Sequence, residues 1–140
     1  MNSIETAVLF ANDAFYATFA VGDVVGMDSL WSQSAPVSCI HPGGGILVGR
    51  DHVMDNWRAI LESHNTDGIA CADATAHVAG DMAWVTCFEV IEDGNGGSSG
   101  FLAATNVFVR EGRTWKMVHH QAGPTTARPT AQPEPQKAVQ

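Results

Sequence analysis

The sequence predicts an α+β fold: a cone-shaped curved antiparallel sheet wrapped around three N-terminal helices, in the order ααβ(β)αββββ. Three observations predict it. Apolar residues recur at three- and four-residue steps up to Leu61, a period of two takes over after Gly68, and Gly/Asp/Asn clusters punctuate the second half. Helices gathered early and strands gathered late make an α+β arrangement in which the helices cover one sheet face. The chain is long enough for one core.

From Ser3 to Val21, residues Ile4, Val8, Ala11, Phe15, Thr18 and Phe19 share a helical face, with Ser3 as the expected N-cap and Gly22 as the stop. Asp23 caps a shorter helix through VVGMDSLW, which brings Leu30 and Trp31 back towards the first helix and runs up to Pro36. PVSCIH alternates as a strand. HPGGGILVG follows as a turn and a second short strand, because three consecutive glycines favour neither regular element. A third helix is expected from Arg50 or Asp51, with Val53, Trp57, Ile60 and Leu61 on one face and fraying at SHNTDG. IACADATAHVAG, MAWVTCFEVIEDG, GFLAATNVFVREG and TWKMVHHQAG then form four strands of an antiparallel meander, broken at AGD, DGNGGSSG and REGR. The division is a domain over 1–123 and a flexible Pro-rich tail over 124–140, whose Pro, Thr and Gln show no periodicity.

Composition narrows the partners. With 45% hydrophobic and 16% charged residues and no apolar run of membrane-spanning length, the chain is expected to be soluble, off the membrane and cytoplasmic. Fifteen acids against seven bases, a net charge of -8, repel phosphate backbones, so nucleic acid is not an expected partner. Cys39, Cys71 and Cys87 lack a CxxC spacing and read as buried free thiols. Cys39, His41, His119 and His120 are metal-ligand types, yet no HxH or HExxH spacing joins them, so neither metal nor cofactor is expected. The glycine run lacks the spacing of a phosphate loop.

The element order, with AFYATFAVGDVVGMDSLWSQSAPVSCIHPGG, LVGRDHVMDNW and TNVFVREGRTWKMVHHQAG, resembles the nuclear transport factor 2-like superfamily (cystatin-like cone) and within it the SnoaL-like, ketosteroid-isomerase-like branch. The last two strands are also similar to the association domain of the calcium/calmodulin-dependent kinase. The likeness covers almost everything before the tail. It implies a fold more than an activity, because this fold hosts isomerases, dehydratases, cyclases, transport adaptors and oligomerisation modules.

Matched to the isomerase pattern through the GD after the first helix, the tyrosine position falls on Phe15, with Tyr16 one residue away. The base carboxylate falls on Cys39 or near His41, and the late protonated aspartate on Asn106. All three groups are altered, so steroid isomerisation is not implied. What remains polar is His41, His120 and Asn106, which become the candidate catalytic residues, histidine for acid/base work near neutral pH and Asn106 with Tyr16 for orienting an oxygen.

A strand sends successive side chains to opposite faces, so His119 and His120 cannot both enter one cavity. The same match turns Trp84, Thr86 and Phe88, then Asn106 and Phe108, then Val118, His120 and Ala122 towards the pocket. Trp115, Met117 and His119 face outwards, His119 towards a partner subunit. Phe15, Tyr16, Trp31, Cys39, Trp57, Trp84, Phe88, Phe108 and Val118 are the expected ligand-binding residues, with Met54 as a neighbour. Arg50 and Arg110 read as solvated cations near the mouth. The expectation is a homodimer, paired through the outer sheet face, that binds a small apolar or aromatic molecule in the cone pocket. Two alternatives stand beside it: an isomerase-, cyclase- or dehydratase-type enzyme using a histidine acid/base without metal, and a non-catalytic association module.

Overall fold

The computed structural model describes residues 2–66, 68–92 and 98–130. Helix α1 (Ser3–Val21) is capped one residue before Ser3: Asn2 Oδ1 accepts the Glu5 amide at 2.8 Å. It stops at Gly22, whose left-handed backbone (φ 72°) lets its amide return to the Phe19 carbonyl. Asp23 caps α2 (Val24–Leu30) by accepting the Gly26 amide at 2.9 Å. That helix ends well before Pro36, because Trp31 turns extended and bridges to Met117. Arg50, expected to be solvated, closes the helix end instead, donating to the carbonyls of Asp28, Trp31 and Ser32.

The remaining elements are β1 (Ser38–Ile40), β2 (Ile46–Val48), α3 (Arg50–Glu62), β3 (Ile69–Ala79), β4 (Met82–Glu92), β5 (Ser98–Glu111) and β6 (Thr114–Pro124). They form a six-stranded sheet in the order β2-β1-β6-β5-β4-β3. Strands β3 to β6 make the antiparallel meander, while β1 runs parallel to β6 and so joins the first half of the chain to its last strand. The helices cover the concave face, and the core lies between them. Phe15 is its centre, in edge-to-face contact with Tyr16, Phe19 and Trp57 at 4.8, 5.9 and 5.5 Å. Phe15, Tyr16 and Trp57, all fully buried, each contribute about 1.5–3 kcal/mol of transfer free energy.

Side-chain parity departs from expectation on two strands. On β4 the inward residues are Ala83, Val85, Cys87 and Glu89, whereas Trp84 is 39% exposed and Phe88 half-buried on the outer face. The cause is register: Val85 is paired with Asn106 and Trp84 with Val107, and residues opposite each other share a face. On β6, Val107 pairs with His119 but Phe108 pairs with Met117, which leaves Val118 as the extra residue of a β-bulge. Trp115 and Met117, expected outside, are therefore buried in the core, and His120 and Ala122 face inwards beyond the bulge.

The outer face carries Trp84 stacked on His77 (5.2 Å, 18°), Val107 and His119, whose Nδ1 is 2.7 Å from Ser38 Oγ. After β6 the chain stays on the sheet. The Arg128 guanidinium lies 5.5 Å from the Phe101 ring, and Thr130 donates its amide and hydroxyl to Asp73 Oδ2 at 2.7 and 3.1 Å. Of the expected tail, residues 131–140 lie outside the described residues, as do residues 93–97 of the DGNGGSSG turn signal.

Candidate functional site

The concave face carries a group of polar side chains in otherwise apolar surroundings. Asn106 on β5 is fully buried and central. Its Nδ2 donates to Asn12 Oδ1 at 2.9 Å and to the Tyr16 hydroxyl oxygen at 3.1 Å, and its Oδ1 accepts from His120 Nδ1 at 2.6 Å. The Tyr16 hydroxyl donates to Glu89 Oε2 at 2.8 Å and lies 3.3 Å from Cys87 Sγ. Asn12 and Tyr16 stand four residues apart on α1 and so present one face to the sheet, while Glu89, Asn106 and His120 come from the inward parity of β4, β5 and β6. Glu89 is 2% and His120 1% exposed.

These contacts fix the protons. A histidine that donates from Nδ1 to an amide oxygen keeps its lone pair on Nε2, which faces Glu89 Oε2 at 3.6 Å, too far for a hydrogen bond. Burial, with His41 and His119 adding like charge, pushes His120 down to about 3, so its imidazole is neutral. Burial pushes Glu89 up to about 7, against the pull of the Tyr16 hydrogen bond. Geometry alone would allow an ion pair, but desolvation from all sides favours a neutral acid beside a neutral imidazole. Burial, then Glu89, raises the Tyr16 hydroxyl well above its ordinary value. The result is a dry cluster that holds one exchangeable proton near neutral pH and can donate or accept it through Glu89.

His41 connects this cluster to the outside. It is half-buried at the end of β1, its ring 5.7 Å from His120 and 4.8 Å from Trp57, and its Nε2 is 3.4 Å from Cys39 Sγ. Burial lowers its pKa. Cys39 is paired with His120 across β1 and β6, and burial followed by Glu89 pushes its thiol up to about 12, which makes it inert as a nucleophile at neutral pH. Cys71, on the strand facing Glu89, is raised too, first by its hydrogen bond to Cys87 and then by burial.

An open depression of about 550 Å³ lies at one end of the cone, lined by Phe19, Ile60, Thr66, Ile69, Ile91 and Glu92 among others. Its relation to the cluster follows from strand geometry. Ile91 is two residues from Glu89 on β4, so the carboxyl stands one inward-facing position deeper, a rise of roughly 7 Å. Phe19 touches Trp57 at 4.9 Å, and Trp57 lies 5.8 Å from His120. A layer of aromatic rings thus separates the depression from the polar groups.

Of the residues singled out from sequence, the fold brings Tyr16, Cys39, His41, Asn106 and His120 together, with Phe15 and Trp57 as aromatic walls. Phe108 faces inwards on the Met117 side of Asn106, and Trp31 packs against Met117 at the far end of β6. Trp84 and Phe88 belong to the outer face, and Val118 is taken up by the bulge. Glu89 and Asn12 were not singled out. Glu89 has a signal in CFEVIE, an acid in step with Cys87, but the expected parity of β4 turned it to solvent. Among the described residues no group of three His, Cys, Asp or Glu side chains is arranged to hold a metal, and no helix is long and apolar enough to cross a membrane.

Comparison with known proteins agrees with this architecture. Residues 8–126 match the model of the SnoaL-like domain. A candidate dehydratase of the nuclear transport factor 2-like family from Streptomyces avermitilis is 35% identical, with a TM-score of 0.78 over 89% of this chain and 98% of that one. A candidate calcium/calmodulin-dependent protein kinase type II association domain from Thiobacillus denitrificans is 29% identical, with a TM-score of 0.72 over 83% and 93% of the two chains. F-box protein SKIP8 of Arabidopsis thaliana is 28% identical over 117 residues, 83% of this chain. The chain spans about half the length of that relative, 48%.

Proposed function

The chain belongs to the SnoaL-like family, and on that premise we propose that its domain, residues 1–123, binds a small apolar or aromatic molecule bearing a polar oxygen inside the cone and acts as a homodimer. One observation supports this above all: a connected set of buried hydrogen-bonding groups lies one inward-facing position below an open depression. A core built only for stability is served as well by apolar side chains, whereas a polar set beneath an apolar opening suits a ligand with one polar end. Phe19 and Trp57 would form the apolar walls, and Tyr16, Glu89, Asn106 and His120 the polar end. The outer face with Trp84, Val107 and His119 is the pairing surface. The free thiols Cys39, Cys71 and Cys87 go with a cytoplasmic setting.

Acid/base catalysis is the second reading, favoured by a carboxyl that titrates near neutrality beside a phenol and an imidazole, and by the likeness to the candidate dehydratase. Glu89 would then be the acid/base, with His41 relaying protons and Asn106 and Tyr16 orienting the substrate oxygen. A third reading, an association module, draws on the Thiobacillus relative.

Titration with acetophenone and larger aryl ketones, followed through the Trp57 indole resonance, tests the binding reading. A saturable shift that Ile91→Trp abolishes by filling the depression is expected. No saturable shift with any of them, together with an oligomer larger than a dimer by light scattering, would leave the association module.

A further inference from the structure

We propose that this cone selects its ligand by charge, accepting uncharged ketones, alcohols or amides and rejecting carboxylates, with Glu89 as the specificity-determining residue; the proposal rests on the binding reading above and deepens it.

Acids stand on both sides of the aromatic layer. Glu92 lines the depression at the rim, and Glu89 lies one inward-facing position below Ile91 on the same strand. Glu89 Oε2 accepts the Tyr16 hydroxyl, and the residue is 2% exposed. When Glu89 carries its proton, Oε2 is already accepting from Tyr16, so Oε1 is the oxygen left to hold the proton and to donate it to a ligand oxygen.

Among the described residues no Lys or Arg side chain is paired with Glu89. The cations among the described residues are committed elsewhere: Arg50 to the carbonyls at the end of α2, Arg58 to Asp55, Lys116 to the Ser29 carbonyl, while Arg110, Arg113 and Arg128 are exposed. The groups facing Glu89 are Tyr16 from α1, Cys71 from β3, Cys87 on its own strand and His120 from β6, with Cys39 and His41 of the β1 side behind the imidazole. Asn106 and Trp57, from β5 and α3, do not titrate. The phenol and the Cys39 and Cys71 thiols are raised and both imidazoles lowered, so between about pH 6 and 8 the group whose charge changes in the cone is Glu89.

A ligand carboxylate placed near an ionised Glu89 meets like charge in a poorly screened site, an effect on the order of 30-fold or more in affinity. The test compares acetophenone with benzoate, similar in size and shape and different in charge, on the full chain. At about pH 8 acetophenone is expected to bind at least roughly tenfold more tightly than benzoate, since about one Glu89 in ten then carries its proton. Lowering the wild-type protein to about pH 6 is expected to recover roughly tenfold of the benzoate affinity, since Glu89 gains its proton while benzoate stays ionised. In Glu89→Gln that pH response is expected to vanish and the gap between the two probes to shrink. The wild-type pH series stands on its own should the variant fold poorly. Equal affinity for the two probes at about pH 8 would overturn charge selection and leave the binding reading intact, whereas binding of neither probe would remove both.

Discussion

Replacing Glu89 by Gln is expected to tilt the pH profile of stability relative to the wild type. Glu89 moves from 4.5 to about 7 on folding and His120 from 6.5 to about 3. Between about pH 4.5 and 6.5 the folded protein holds a Glu89 proton that the unfolded chain has released, so raising the pH favours unfolding. Over the same window the unfolded chain holds a His120 proton that the folded protein lacks, so raising the pH favours folding. Each slope is about 1.4 kcal/mol per pH unit and they are opposite in sign, so in the wild type these two contributions cancel. Glu89→Gln removes the first contribution, and its stability relative to wild type should climb by about 3 kcal/mol across the window. His120→Gln should fall by about the same amount, and the double variant should be level again. Urea denaturation followed by tryptophan emission at half-unit pH steps reads these differences, with surface carboxylates cancelling against the wild type. A level difference curve for either single variant would mean that water reaches the pair and that both groups titrate as they do in the unfolded chain, which would refute the buried-cluster reasoning.

Other perturbations have distinct signatures. Tyr16→Phe deprives Glu89 Oε2 of its donor and should cost about 1–3 kcal/mol while moving the Glu89 titration further up, readable from its carboxyl carbon shift. Asn106→Leu strips partners from Asn12, Tyr16 and His120 at once and should cost about 3 kcal/mol or more by urea denaturation. Trp84→Lys, on the exposed outer face, should leave monomer stability within about 0.5 kcal/mol and halve the mass seen by light scattering if that face pairs.

Much of the fold was legible because its punctuation is local. Gly22, Asp23 and the start of α3 at Arg50 stand where the residue types place them, since caps and left-handed turns depend on a few neighbouring residues. The long strands after Gly68 were equally plain from their period of two. Parity was less accessible, for it depends on pairing register and on single extra residues. The bulge at Val118 leaves no mark in WKMVHHQ that separates it from a regular strand, and the β4–β5 register is set across a connection rich in glycine. His120 and Asn106 could be singled out from their residue types. Glu89 could not, because an acid in a strand becomes unusual only once its side is known, and Asn12 acquires meaning only through partners far away in sequence.

The bulge at Val118 also bears on how this strand can change over time. It acts like a shift of reading frame: a single surplus residue resets which side chains look inwards without altering the hydrogen-bonded ladder on either side. Trp115 and Met117 answer to the shape of the space beneath α2, and His120 and Ala122 to proton affinity and dipoles, so substitutions at the two ends are judged by separate criteria. Changes of length are judged by both. Losing Val118 would turn β6 into a regular strand with His119 still opposite Val107 and His120 still opposite Asn106, whereas flattening the bulge with Val118 retained would exchange the two histidines between solvent and interior and move the titrating pair apart.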